Sequence, residues 1–273
     1  MSSSDLPAKR GLRVLFLGDV VGRPGREAIT RHVRSLRQEL SLDLVIANGE
    51  NAAGGAGIDA GTAHEIHNSG VDLITLGDHT YQRKGSAEFI EANSAWCIRP
   101  YNFPVATSPG KGVCSISLPG GVTVYVANLI GRVFIGGAID CPFRAVDTLL
   151  AELPTTPGRI VIIDIHAEAT SEKWALARHC DGRVSLIVGT HTHVQTADAQ
   201  VLPGGTGYIT DLGMTGSNTG VIGMDSAVAL KRFTGPTPAP YQIAEGEGIL
   251  SGVLAEIDIA SGKTLWIRGF TRA

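Results

Sequence analysis

No stretch of this 273-residue sequence approaches the roughly eighteen consecutive apolar residues of a membrane helix, and Met1 to Gly11 is polar, unlike a secretory signal. Neither a membrane protein nor an exported one is expected. Charge of one sign is also lacking. The 23 Lys and Arg against 26 Asp and Glu leave a net charge of -3, so no global field draws the chain to nucleic acid or lipid. Cysteine is sparse: Cys97, Cys114, Cys141 and Cys180 stand apart, without Cys-X-X-Cys spacing. That argues against a zinc framework or a disulfide scaffold and for reduced, packed thiols in a soluble cytoplasmic protein. Internal repeats and long linkers are missing too. The expectation is a flexible tail at 1–11 and a single domain over 12–273.

What the chain does have is glycine, 35 in all, many beside polar clusters. The placement suits tight turns and close approach of backbone to a ligand. Apolar runs at Val14–Leu17, Leu44–Ala47 and Val71–Leu76 read as buried strands. Between them, helices are expected over Pro24–Leu40, where Ile29, Val33, Leu36 and Leu40 recur at helical spacing, and over Ala60–Asn68. Arg23, Arg26, Arg31, Arg34 and Arg37 fall on the first of these as a solvated face, with a phosphate or RNA patch the lesser reading. Farther on, Val113–Leu118 and Val122–Asn128 flank Pro119-Gly120-Gly121, a hairpin signal. Helices over Ala145–Glu152 and Ser171–Arg178 bracket a strand at Arg159–Ile165, and Leu186–Val188 is a further strand. Gln200–Leu202 and Gly207–Thr210 flank Pro203-Gly204-Gly205, Asp225–Phe233 is a short helix, and Gly248–Ile259 with Lys263–Phe270 forms a last hairpin. Parallel β-α-β order in the first half and hairpins in the second give an α/β chain with mixed sheets, packed face to face with helices outside.

The polar residues gather where those strands end. Asp19, Glu50-Asn51, Asp78-His79, His166, and His191 with His193 occupy five strand ends, the carboxyl edge at which α/β sheets bind ligands. Each alone has an ordinary reading as a helix cap, a turn or a satisfied histidine. Together they supply carboxylate, amide and imidazole without thiolate, a set that suits Mn, Fe or Zn better than Ca. Seven candidate ligands exceed the needs of one ion, so a dinuclear centre is the economical inference. In an extended chain His191 and His193 would point to one side, roughly 6 to 7 Å apart at ~3.3 Å per residue, each reaching one ion of a pair.

The segments Gly18-Asp19-Val20-Val21-Gly22-Arg23-Pro24-Gly25, Ala47-Asn48-Gly49-Glu50-Asn51-Ala52, Gly77-Asp78-His79, His166-Ala167-Glu168 and Gly189-Thr190-His191-Thr192-His193 resemble the calcineurin-like metallophosphoesterases, specifically the bacterial YmdB-like cyclic-nucleotide phosphodiesterases. The resemblance runs in order along nearly the whole chain from Arg13. It implies a four-layer αββα sandwich and hydrolysis of a phosphodiester, a 2′,3′- or 3′,5′-cyclic mononucleotide. It also implies two divalent or mixed-valence metal ions, Fe or Mn foremost, with Zn or Mg as alternatives. By the same resemblance Asp19, Glu50, Asn51 and His193 would hold one ion, and Asp78, His166 and His191 the other, with Glu50 bridging. Val21 occupies the position of the superfamily's first-motif histidine, for which Asn51 substitutes. His79 would be the general acid beside a metal-bridging hydroxide, since imidazole changes charge near physiological pH. One residue departs from the family pattern: Asp78 stands where Asn is expected. With three ionised carboxylates, two divalent ions would leave a net charge of about +1 rather than about +2.

Other signals carry less. Gly22 and Arg23, in Gly22-X-X-Gly25 before a helix, are candidates for phosphate contact, although the glycines could simply shape the turn and no Walker-type lysine follows. The same spacing misses the dinucleotide fingerprint, which argues against an oxidoreductase. Asp164 shares a strand face with His166, so it either orients that ligand or binds nearby backbone. Glu168 and Thr170-Ser171 read as caps of the following helix, and the aromatics Tyr81, Tyr101, Phe103 and Phe134 outline no base pocket. The rival to an enzyme is a catalytically quiet, metal-bearing regulator that binds nucleotide or RNA. A homo-oligomer is expected from fold analogy alone.

Overall fold

The computed structural model describes residues 6–236 and 239–273. The strands are β1 (Leu12–Leu17), β2 (Asp19–Val20), β3 (Leu44–Asn48), β4 (Leu73–Thr75), β5 (Cys97–Ile98), β6 (Val113–Leu118), β7 (Val122–Ile130), β8 (Ile160–His166), β9 (Leu186–Thr190), β10 (Gln200–Val201), β11 (Gly207–Ile209), β12 (Met214–Ser217), β13 (Gly248–Ile257) and β14 (Thr264–Arg272). The helices are α1 (Gly22–Glu39), α2 (Ala60–Asn68), α3 (Ser86–Ala92), α4 (Pro142–Glu152), α5 (Thr170–Cys180) and α6 (Ser226–Thr234). One sheet runs β2-β12-β13-β1-β3-β4-β5 with β14 on β13, and the other runs β10-β11-β9-β8-β7-β6.

Period-two alternation along the strands builds the layers. Val14 and Phe16 of β1, with Leu44 and Ile46 of β3, face Val124, Val126, Ile160, Ile162, Leu186 and Val188 of the other sheet, forming the apolar seam between sheets. Leu15, Leu17, Val45 and Ala47 turn the opposite way, onto Ile29, Val33 and Leu36 of α1 and Ala63 and Ile66 of α2. Val161, Ile163 and Ile187 meet α4 and α5 through Val146, Leu149, Leu176 and Ala177. The result is the expected αββα sandwich.

Several elements differ from the sequence reading. β4 is three residues long, and β2, β5, β12 and α3 were not anticipated because two- to four-residue strands and a seven-residue helix offer too short a window for periodicity. The second half is not chiefly hairpins: β7, β8, β9 and β11 pair in parallel, with α4 and α5 as crossovers. α4 starts at Pro142 rather than Ala145, because proline is preorganised for a first helical turn. Of the arginine face of α1, Arg23, Arg31 and Arg34 are exposed as expected, whereas Arg26 and Arg37 are half-buried; Arg26 pairs with Glu65, Arg31 with Glu247 and Arg37 with Asp72. Of the tail at 1–11, residues 1–5 lie outside the described residues. Leu6 packs on the α1 side of the core, and the backbone N–H groups of Arg10 and Gly11 donate to Glu256. All four cysteines are free thiols, and no helix among the described residues is long and apolar enough to cross a membrane.

Candidate metal centre

Both sheets deliver their strand ends to one place. β1, β3 and β4 of the larger sheet lead into Asp19, Glu50-Asn51 and Asp78-His79, while β8 and β9 of the smaller sheet lead into His166, His191 and His193. Glu50, Asp78, His166 and His191 each offer a ligand atom within 4.8 Å of the others. His166 Nε2 lies 3.1 Å from Glu50 Oε1, 3.1 Å from Asp78 Oδ1 and 2.9 Å from His191 Nδ1. Beside this group, His193 Nε2 stands 3.3 Å from Asn51 Oδ1 and 3.8 Å from Asp19 Oδ1. Donor atoms about 3 to 3.5 Å apart have the spacing of ligands that share one cation at ~2.1 Å. All seven residues predicted as ligands are thus brought together.

The histidines are held as metal-binding histidines are, with the nitrogen facing away from the cluster tied to a partner. His193 Nδ1 donates to the Ile222 carbonyl at 2.9 Å. His191 Nε2 lies 3.2 Å from Glu168 Oε2. His166 Nδ1 meets Thr190 Oγ1 at 2.9 Å, and that hydroxyl in turn donates to Asp164 Oδ1 at 2.7 Å. Asp164 Oδ2 accepts from Thr75 and Asn48. Of the two readings of Asp164, orienting His166 is the one the contacts support, with Thr190 as intermediary.

Two further observations test whether cations fit. Asp19 Oδ1 is fully buried and, among the described residues, has no hydrogen-bond partner, a costly state unless something else satisfies it. Gly77 roofs the group so closely that a Cβ there would lie 2.2 Å from Glu50 Oε2 and 2.4 Å from His166 Nε2. The electrostatics agree. Burial alone would raise Asp78, but hydrogen bonds from His166 and His191 outweigh it and hold the carboxyl well below the usual range. Burial of Glu50 is likewise overcome by the charge of His166 and its hydrogen bond, so its carboxyl falls. Asp19 remains raised, because burial prevails over His193 and His166. His166 is pushed well above its ordinary value, its burial outweighed by Glu50 and Asp78. A positive charge is therefore favoured at the centre of the cluster. Carboxylate, amide and imidazole donors around such a point fit divalent cations.

His79 flanks the group. Its backbone N–H donates to Glu50 Oε2 at 3.2 Å, and its Nδ1 lies 2.7 Å from Gln82 Nε2. Nδ1 also lies 3.5 Å from Asp78 Oδ2; where the Gln82 amide donates to Nδ1, neutral His79 carries its proton on Nε2. A cleft of about 340 Å³ opens here, lined by Glu50, Asn51, His79, Glu168, His191 and His193 together with Ile222, Met224 and Tyr241. Glu168 therefore belongs to the cleft and caps nothing, and α5 has no side-chain cap. Gly22 and Arg23 do not line it. The Gly22 N–H donates to the Asn51 carbonyl, Gly25 packs under the Thr215 carbonyl, and the Arg23 side chain faces solvent beside Glu27.

The His191–His193 turn is not extended. Both residues have positive φ, 97° and 63°, conformations that cost a non-glycine residue on the order of 1–3 kcal/mol. The cause sits beneath it. Asp211 Oδ2 accepts from the Thr192 N–H at 3.2 Å and the Thr192 hydroxyl at 2.7 Å, so the residue between the histidines is pulled inward. Lys173 Nζ pairs with the same oxygen at 2.7 Å, and both side chains are 0% exposed. Neither residue was singled out from sequence, although Lys173 interrupts the α5 stripe of Leu176, Ala177 and Cys180, which flags a buried partner.

Comparison with known proteins follows the same lines. A family model described as YmdB-like protein matches residues 15–269. The 2′,3′-cyclic-nucleotide 2′-phosphodiesterase of Bacillus subtilis is 46% identical over 257 residues, 94% of this chain and 95% of that protein. A crystal structure of a hypothetical protein from Thermus thermophilus superposes with a TM-score of 0.88 at 40% identity, covering 96% of this chain and 99% of that one. A crystal structure described as a novel phosphatase, from Mycoplasma pneumoniae, gives 0.88 at 30% identity, with 97% and 94% covered.

Proposed function

The chain belongs to the YmdB-like family, and from that membership and its strand-end donor cluster we propose that it is a metal-dependent phosphodiesterase of 2′,3′-cyclic mononucleotides. The observation that carries this reading is the convergence of Glu50, Asp78, His166 and His191 on one point. We assign Asp19, Asn51 and His193 to one cation and Asp78, His166 and His191 to a second, with Glu50 shared. Bound cations, manganese or iron by donor type, would supply an acidified water and offset charge on the phosphate. The rest falls to the chain. His79 lines the cleft with a proton on Nε2 and gives it to the leaving ribose oxygen as the bond from phosphorus to that oxygen breaks. Gln82 sets the His79 tautomer, and the Glu50 contact to its backbone N–H keeps the acid in register with the shared ligand. The substrate class is supported by the Bacillus subtilis relative, a 2′,3′-cyclic-nucleotide 2′-phosphodiesterase.

The test is hydrolysis of 2′,3′-cyclic AMP by Mn²⁺-supplemented protein, read beside its metal content. Asp19→Ala should lose metal and turnover together. His79→Ala should keep its metal and lose about 10²–10⁴ in kcat. Full turnover in Asp19→Ala would refute the assignment. A metal-loaded wild type that hydrolyses no phosphodiester yet binds nucleotide would favour the quiet regulator instead.

A further inference from the structure

We infer that Ile222, Met224 and Tyr241 form a nucleobase platform in the cleft, holding purine and pyrimidine rings by stacking and apolar contact without reading their edges. This rests on the phosphodiesterase reading and names the part of the substrate that reading leaves unplaced.

The cleft lining is of two kinds: Glu168, His79 and Thr192 are polar, whereas Ile222, Met224 and Tyr241 are chiefly apolar. Ile222 is 50% and Tyr241 41% exposed, so large apolar surface is left in water beside a cluster of charged groups. Ile222 is also strained: it is β-branched yet holds φ at 44°, a conformation rare for such a residue. A tight turn maintains it, with the Val221 and Met224 backbones exchanging hydrogen bonds of 2.8 and 2.9 Å. That strained conformation coexists with two contributions to the cleft: the Ile222 carbonyl accepts from His193 Nδ1, and the residue is part of the cleft lining.

Tyr241 is registered just as closely. Its ring lies over Gly55, where a Cβ would come within 2.5 Å of Tyr241 Cε1, so only glycine lets the ring settle there. Gly55 in turn exchanges hydrogen bonds with Asn51, donating to its carbonyl at 3.0 Å and accepting from its side-chain amide at 3.1 Å. Each side of the platform is therefore built onto a residue assigned to the same cation, Asn51 or His193. The platform residues line the same cleft as the cluster, so a phosphate held there would bring its ribose and base toward them. Among the three platform side chains the only polar hydrogen-bonding group is the Tyr241 hydroxyl, so nothing there spells out a donor–acceptor code. Stacking on an aromatic face tolerates every base.

The test compares kcat/KM for 2′,3′-cyclic AMP, GMP, CMP and UMP with that for 1-O-methylribose 2,3-cyclic phosphate, which carries the same reacting ester and no base. Wild type should prefer the nucleotides by about ten-fold or more while differing little among them, as sequence-tolerant stacking requires. In Tyr241→Ala the preference ratio should fall towards one, through KM; Tyr241→Phe should retain it. An unchanged ratio in Tyr241→Ala, or an equal loss on both substrate types, would overturn the platform. Failure of the phosphodiesterase reading would appear separately, as no hydrolysis of any ester. Binding then decides: adenosine 3′-monophosphate should bind wild type about ten-fold tighter than ribose 3-phosphate, and Tyr241→Ala should lose that margin. Equal affinities in wild type would overturn it.

Discussion

Replacing Asp211 with alanine should cost about 3–5 kcal/mol, because it leaves the Lys173 ammonium uncompensated in the core. Both groups are fully buried and 2.7 Å apart, so no solvent relieves the orphaned charge. The loss is a large share of the roughly 5–15 kcal/mol by which a domain is stable. It also frees three donors: the Thr192 N–H, the Thr192 hydroxyl and the Gly213 N–H, which donates to Asp211 Oδ1 at 2.8 Å. With Thr192 released, the positive φ of His191 and His193 keeps only the contacts of the histidines themselves, to Asp19, Glu168 and the Ile222 carbonyl, and the turn should relax away from the cluster. The double variant Lys173→Met/Asp211→Ala separates the two effects. Removing both charges should restore a few kcal/mol, since an apolar replacement of a buried pair is often neutral or better. Thr192 would still lack its acceptor, so metal occupancy should stay low. Urea unfolding of chelated protein followed by circular dichroism gives the first quantity, and elemental analysis of gel-filtered protein gives the second. A double variant binding as much metal as wild type would refute the role of Asp211 in setting the turn. A cost under about 1 kcal/mol for Asp211→Ala would refute the isolation of the pair from water.

Other expectations concern the cluster itself. Gly77→Ala should expel Glu50 or His166 from its place, since the new Cβ would sit 2.2 and 2.4 Å from their ligand atoms, and a normal metal titration would contradict this. Asp78→Ala should lower bound metal from roughly two ions per chain to roughly one, and unchanged stoichiometry would remove Asp78 from the ligand set. In chelated protein, Glu50 and Asp78 push His166 well above the ordinary 6.5. The stability this contributes is complete below 6.5 and is lost as pH rises through the raised folded value. The melting temperature with chelator should therefore fall from neutral to alkaline pH, while metal-loaded protein, its nitrogen engaged, should not share that fall; parallel curves would refute it.

The donor residues were legible because strands ending in Asp, Glu-Asn, Asp-His or His-X-His leave polar side chains at the sheet's carboxyl edge, whatever the rest of the fold. The long strands and α1 were legible for a similar reason, since Ile29, Val33 and Leu36 repeat over several turns. Three things were not. The two-residue strands β2 and β5 are fixed by their neighbours rather than by their own sequence. The His191–His193 turn takes its shape from Asp211, twenty residues beyond His191 in the chain, so local extension was the wrong expectation. Tyr241 takes its place at the cleft where Gly55 leaves room for its ring, a pairing across the chain that no window of sequence contains.

The cluster draws Asp19, Glu50 and Asp78 from one sheet and His166 and His191 from the other. Any ion seated there would act as a rivet through the open end of the sandwich, clamping two slabs already joined by the apolar seam and by the Asn48 and Thr75 hydrogen bonds to Asp164. Stripping it should let the slabs part at this edge first, so resistance to a protease at the β8 and β9 termini would report on metal loading without any substrate being turned over.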